Sequence, residues 1–231
     1  WRQFKKPIFK YVEYPDIPVQ KKNYEKYNKI TIGYHGNQLH LHSMENNIAP
    51  ALSNLGKEFN LELLLMYNGQ PPRGDESWLP KNVTLKHIQW SYENYSNKLT
   101  HSDIGIVPNG KMTKNSLDKI LKQKNSLLSL SKDDYVLRFK MPSGPGRIIV
   151  FGLLGIPVIS DFFPSGIRYL QDGRGLIAHS VAGWEYSFRR LIKSSNLRKF
   201  MGEKLQNYIK EKYNFSTQNK KLINFIQNEI I

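Results

Sequence analysis

The 231 residues, 39% of them hydrophobic, suffice for a sizeable buried core, and the lack of cysteine excludes disulfides, thiolate catalysis and cysteine-ligated zinc or iron–sulfur sites. No apolar run approaches the roughly 20 residues that span a bilayer, and the first residues lack the charged-then-apolar pattern of a signal peptide. The formal net charge of +15 invites a polyanion partner, but the lysines are spread along the chain with no zinc-finger spacing and no aromatic signature of an RNA-recognition sheet. They read as solvated lysines on exposed faces, and nucleic acid is not an expected partner.

Residues 1–28, with Pro7, Pro15 and Pro18 among aromatics and lysines, predict an extended arm or interdomain linker, and the start at Trp1 rather than Met fits a piece of a longer protein. Residues 29–231 are expected to form one α/β domain. Residues 29–34 (KITIGY) predict a strand ending at His35-Gly36-Asn37. Ser43 is placed to cap a helix over 44–59, where Ile48, Leu52, Leu55 and Phe59 recur at helical spacing. Residues 61–67 predict the next apolar strand and 68–81, rich in Gly and Pro, a surface loop. A third strand over 83–88, a short helix over 92–99 and a fourth strand over 104–107 closed by Pro108 follow. Residues 109–135 break the rhythm as a basic helical insertion, and the alternation resumes with a helix near 165–170, a short strand over 175–178 and helices over 181–193, 196–212 and 217–230. Repeated alternation argues for an α/β fold, a Rossmann-like parallel sheet with helices on both faces.

The most informative stretch is 140–161, KMPSGPGRIIVFGLLGIPVISD. Ser143-Gly144-Pro145-Gly146 is turn chemistry, and about two apolar helical turns follow over 147–154. A helix starting there points free backbone N–H groups and its positive dipole end at whatever precedes Gly146, an arrangement that suits phosphate. Gly155-Ile156-Pro157 stops that helix, and 158–160 reads as a strand buried on both faces. The same pieces are also ordinary helix-to-strand punctuation in any α/β domain, and local features alone leave both readings open.

From about residue 29 onward the order of elements resembles the C-terminal, donor-binding domain of GT-B glycosyltransferases. The resemblance rests on Ser102-Asp103-Ile104-Gly105-Ile106-Val107-Pro108, on Gly155-Ile156-Pro157-Val158-Ile159, and on Leu170-Gln171-Asp172-Gly173-Arg174-Gly175-Leu176-Ile177. Residues 184–192 stand where the family has its next helix, and 196–215, with Leu197, Lys204 and Tyr213-Asn214-Phe215, look like its closing helices. The resemblance implies transfer of a sugar from a nucleotide-sugar donor to an acceptor held by a separate N-terminal domain in the same or another chain. It implies no cofactor and no metal. Carried over by position, Gly36 and Asn37 would approach the donor phosphates, His87, Ile88 and the residues up to Trp90 would border the base, and Lys140, Ser143, Gly144, Gly146 and Arg147 would surround the diphosphate and sugar. Lys140 and Arg147 would act on the developing charge, and Arg138 would share a strand face with Lys140. The expected location is the cytoplasm, with room for peripheral contact at an anionic membrane.

Retaining members of the family commonly carry two Glu residues separated by seven across this loop and helix, the second holding the ribose hydroxyls. Here Pro142 and Val150 occupy those positions, and neither can do that work. Three function classes therefore stand: the donor half of a glycosyltransferase, inactive without its acceptor half; a binding module that has lost catalysis; and a basic polyanion-binding protein. His35, His40 and His42 straddle a turn without metal-ligand spacing, and Asp161 is either an acid–base or hydroxyl-binding group or, more simply, a helix cap.

Overall fold

The computed structural model describes residues 7–9, 14–15, 17–25, 28–110, 118 and 144–229. Six parallel strands form one sheet in the order β3-β2-β1-β4-β5-β6. They are β1 (Ile30–His35), β2 (Leu61–Tyr67), β3 (Thr84–Gln89), β4 (Ile104–Val107), β5 (Val158–Ser160) and β6 (Leu176–Ile177). Numbered among the described residues, the helices are α1 (Ile48–Leu55), α2 (Tyr95–Leu99), α3 (Gly146–Leu153), α4 (Pro164–Leu170), α5 (Val181–Lys193), α6 (Ser195–Lys212) and α7 (Phe215–Glu229), with a 3-10 helix at Gln38–Met44. The order reverses between β1 and β4, and at such a switch point an open parallel sheet leaves a crevice beyond the carboxyl ends of its strands.

Strand alternation builds two cores. Ile30, Ile32 and Tyr34 of β1, Leu61, Leu63 and Leu65 of β2, and Ile104 and Ile106 of β4 face α1 and α5, where Leu52, Leu55, Trp184 and Phe188 meet them. Leu64, Met66, Val107 and Val158 point the other way, onto Phe151 and Leu153 of α3, Leu99 of α2 and Leu205 and Ile209 of α6. Ser180 and Ser194 cap α5 and α6 by accepting from the Gly183 and Leu197 N–H groups at 3.2 and 3.1 Å.

Glycine sets how closely α3 approaches. Gly33 and Gly105 lie side by side on β1 and β4, and a β-carbon on Gly105 would come within 2.6 Å of the Phe151 ring. Their bareness lets Phe151 press onto the central strands, which brings the start of α3 to the carboxyl end of β1. Gly155, at φ +70°, ends α3 in the left-handed conformation and donates to the Gly152 carbonyl at 2.9 Å, as the Gly-Ile-Pro stop predicts.

The helix predicted over 44–59 is divided: Ser43 is buried in the 3-10 segment, and only Ile48–Leu55 is α-helical. Pro50 is the physical reason, because its ring clashes with a helical carbonyl four residues earlier and holds it to the first turn. Residues 17–25 lie against the domain: the Gln20 N–H donates to the Leu153 carbonyl at 3.3 Å, Lys22 to the Thr100 carbonyl at 2.5 Å and the Tyr24 hydroxyl to the Gly155 carbonyl at 2.5 Å. Arg198, 1% exposed on α6, closes over the segment by donating to the Leu191 and Glu25 carbonyls at 2.7 and 3.0 Å.

Candidate functional site

At the carboxyl edge of the sheet, β1 runs out through His35 into Gly36, whose φ of +141° suits glycine and few other residues. Asn37 caps the 3-10 helix by accepting from the Leu39 N–H at 2.9 Å, and its carbonyl accepts from the Tyr34 hydroxyl at 2.6 Å. The backbone is thereby turned sharply away from β1, leaving Gly36 bare beneath α3.

Arg147, the second residue of α3, is half-buried across that turn. Its Nη1 donates to the Pro108 carbonyl at 3.1 Å, and its charge acts on the Tyr34 hydroxyl. Burial lowers its pKa from the ordinary value, opposed by Tyr34 and by the carboxylate of Asp161, and burial raises that of the Tyr34 hydroxyl. His35 packs edge-on against Phe151 with ring centroids 4.8 Å apart, and its Nε2 lies 3.4 Å from the Arg147 carbonyl. Burial first, then the Arg147 charge, pushes its pKa down to about 4, so it is neutral near pH 7. No side chain among the described residues caps α3, so its first N–H groups face the edge of the sheet. Fixed cation, helix dipole and bare backbone together suit an anion.

Arg147, Gly36 and Asn37 are thus assembled in one place. Gly144, just ahead of α3, and Gly146, its first residue, are exposed, with nothing within 4 Å of a notional β-carbon. Arg138, Lys140, Pro142 and Ser143 lie outside the described residues, as does most of the basic insertion expected at 109–135. His87 and Ile88 sit inside β3 rather than after it. The His87 ring rests 4.4 Å from that of Tyr67, burial lowers its pKa, and Ile88 packs on the second core. Beyond β3, Trp90 is 40% exposed and leans on Tyr95 with ring centroids 5.9 Å apart. Val150 is 7% exposed in the second core.

Asp161 does not cap a helix, since the α4 N-cap is Phe163 without a side-chain bond. Its carboxylate instead takes the Asn109 and Gly110 N–H groups. Tyr34 and the Pro108 carbonyl are further contributors that sequence reasoning missed. A tyrosine in an apolar strand carries no mark of its hydroxyl's partner, and a carbonyl carries none at all. No group of His, Asp and Glu among the described residues is placed to hold a metal ion. Two cavities, of about 470 and 710 Å³, lie at the opposite end of the fold against residues 20–25, the larger lined by Lys22, Lys29, Thr31, Glu62 and Asp103 among others. They are remote from this chemistry.

The fold is that of one Rossmann-like half of a GT-B glycosyltransferase. The chain is similar to a TarM mutant of S. aureus in complex with fondaparinux, α-GlcNAc-glycerol and UDP, at 13% identity and a TM-score of 0.58, over 96% of this chain and 40% of that one. WaaG, a glycosyltransferase involved in lipopolysaccharide biosynthesis, matches at 14% identity and a TM-score of 0.52, over 91% of this chain and 53% of that one. MurG of Acinetobacter baumannii matches at 14% identity and a TM-score of 0.51, over 92% and 50%. At these identities the likeness is one of fold, and the chain spans about half the length of the proteins it matches. No family model matches the sequence, and no curated protein matches it.

Proposed function

We propose that this chain is the donor-binding half of a glycosyltransferase, taking a nucleotide-sugar at the carboxyl edge of its sheet and completed by an acceptor domain in the same or another chain. The observation that carries the reading is Arg147 held over the bare Gly36 turn at the start of α3, which no described side chain caps. A departing nucleoside diphosphate gains negative charge as the glycosidic bond breaks. A fixed guanidinium and helix N–H groups stabilise that charge more than the ground state, which is what accelerates the step. Lys140 is assigned the same task, Ser143, Gly144 and Gly146 the cradle ahead of α3, and Trp90 with the end of β3 the border of the base. No metal is assigned a role. Three of the similar structures contain UDP or UDP-glucose, which supports a nucleotide-sugar as the ligand class. No described helix is long and apolar enough to cross a membrane, and membrane contact of the basic N-terminal residues is part of the proposal only as a surface interaction.

A second reading, a binding module without catalysis, is favoured by Val150. An aliphatic side chain packed in the core cannot hold ribose hydroxyls. Calorimetric titration of the chain with UDP, GDP, ADP and TDP tests the common part of both readings. Selective binding weakened by Arg147→Ala and Lys140→Ala is expected, and no binding to any of the four overturns it. Sugar transfer after pairing with an acceptor domain separates the two readings.

A further inference from the structure

Asp161 has no part in the proposed chemistry, yet it is 4% exposed at the end of β5. A buried carboxylate is costly unless hydrogen bonds meet it. Its Oδ2 accepts from the Asn109 and Gly110 N–H groups, both at 2.7 Å, and its Oδ1 from Trp184 Nε1 at 3.3 Å. Bonds of this length from backbone N–H groups to a carboxylate are charge-assisted and strong. The Asp161 N–H donates in turn to the Val107 carbonyl at 3.1 Å. The turn after β4 is therefore fastened to β5 on both sides of Pro108.

Pro108 has no N–H of its own, and its carbonyl is the one that holds Arg147 Nη1. The guanidinium is thus held by a carbonyl whose position Asp161 sets, with the Tyr34 hydroxyl of β1 acting on its charge. We propose that Asp161 is a positioning residue for Arg147, acting through the Pro108–Gly110 turn and not through the ligand. The inference deepens the donor-binding reading and rests on it for its functional meaning, while the positioning itself is a property of the unliganded chain.

The test follows the Arg147 guanidinium by NMR in the whole chain labelled with 15N-arginine, its signal assigned by loss in Arg147→Lys. Rotation about the Nε–Cζ bond is expected to be hindered in the native chain. In Asp161→Asn, which keeps the shape but removes the charge and an acceptor, it is expected to speed up by about tenfold or more, the scale of one lost charge-assisted bond. Trp184→Phe removes the donor to Oδ1 together with part of a buried ring, touches neither clamping N–H group, and is expected to leave the rotation slow in the folded chain. Unchanged rotation in a folded Asp161→Asn chain overturns the proposal. Should that variant not fold, Asp161→Ser, which removes the charge from a smaller side chain, is measured in its place, and the same criterion applies. Where the native chain binds a nucleoside diphosphate, Asp161→Asn is expected to weaken binding about tenfold, and to have no further effect in an Arg147→Ala background. An equal loss in that background overturns the coupling. A native chain that binds no nucleoside diphosphate refutes the donor-binding reading, and the rotation measurement still decides the role of Asp161.

Discussion

Arg147 lies across Gly36 so closely that a β-carbon on the glycine would come within 3.2 Å of the arginine Cδ and within 3.2 Å of the Tyr34 hydroxyl. Gly36→Ala therefore meets two obstacles, a backbone at φ +141° that alanine rarely adopts and a guanidinium stem in its way. We expect a loss of about 1–3 kcal/mol in chemical denaturation. Nucleoside diphosphate affinity should fall together with it, because relief of the clash displaces Arg147.

His35 links the same place to pH. Its folded pKa of about 4 lies below the roughly 6.5 of an unfolded histidine, so between those values the unfolded chain binds the proton and the folded chain does not. The stabilising effect of the neutral ring is complete above about pH 6.5 and is lost as pH falls toward 4, about 3 kcal/mol in all. Urea unfolding midpoints measured from pH 7.5 to 4 should decline accordingly, and His35→Gln should flatten that part of the slope. An identical slope in the variant would reject His35 as the source.

Gly105 carries the close seat of α3. Gly105→Ala places a methyl 2.6 Å from the Phe151 ring, between a central strand and a buried aromatic with little room to move. We expect destabilisation of about 1–3 kcal/mol, as for overpacked cores. Gly105→Ala combined with Phe151→Leu should recover part of the loss, which thermal unfolding of the double variant would read directly.

Arg198 holds residues 17–25 to the domain from inside α6. Arg198→Met preserves much of the buried stem but leaves the Leu191 and Glu25 carbonyls without their donor, a loss of roughly 1–3 kcal/mol for each group that stays dry. Limited proteolysis should then cut near Lys21 and Lys22 much faster than in the native chain. A cleavage pattern unchanged by the substitution would show that Gln20 and Tyr24 suffice to hold the segment.

Strand identity was legible because KITIGY is rich in β-branched residues and LELLLMY is a short, nearly continuous apolar run, and each became a central strand buried on both faces. The place of Arg147 at the start of α3 was legible because a glycine-rich turn precedes an apolar helix, whereas its expected role came from the family resemblance. Asp161 was noticed as a carboxylate just after a buried strand, but its two shortest bonds come from backbone N–H groups some fifty residues earlier, and backbone groups look alike in any sequence. Pro50 could have warned against a helix running unbroken through 44–59. The anchoring of Gln20, Lys22 and Tyr24 was hidden for the same reason as Asp161: each donates to a main-chain carbonyl far along the chain.

The bond from Arg147 to Pro108 also pins together the two ends of the stretch that leaves the sheet after β4 and returns at α3. The entropy of closing a loop grows only with the logarithm of its length, about 0.6 kcal/mol for each doubling. Once the ends are fixed, the length of chain between Gly110 and Gly144 costs the sheet little, so such a domain can vary there while its strands keep their sequence.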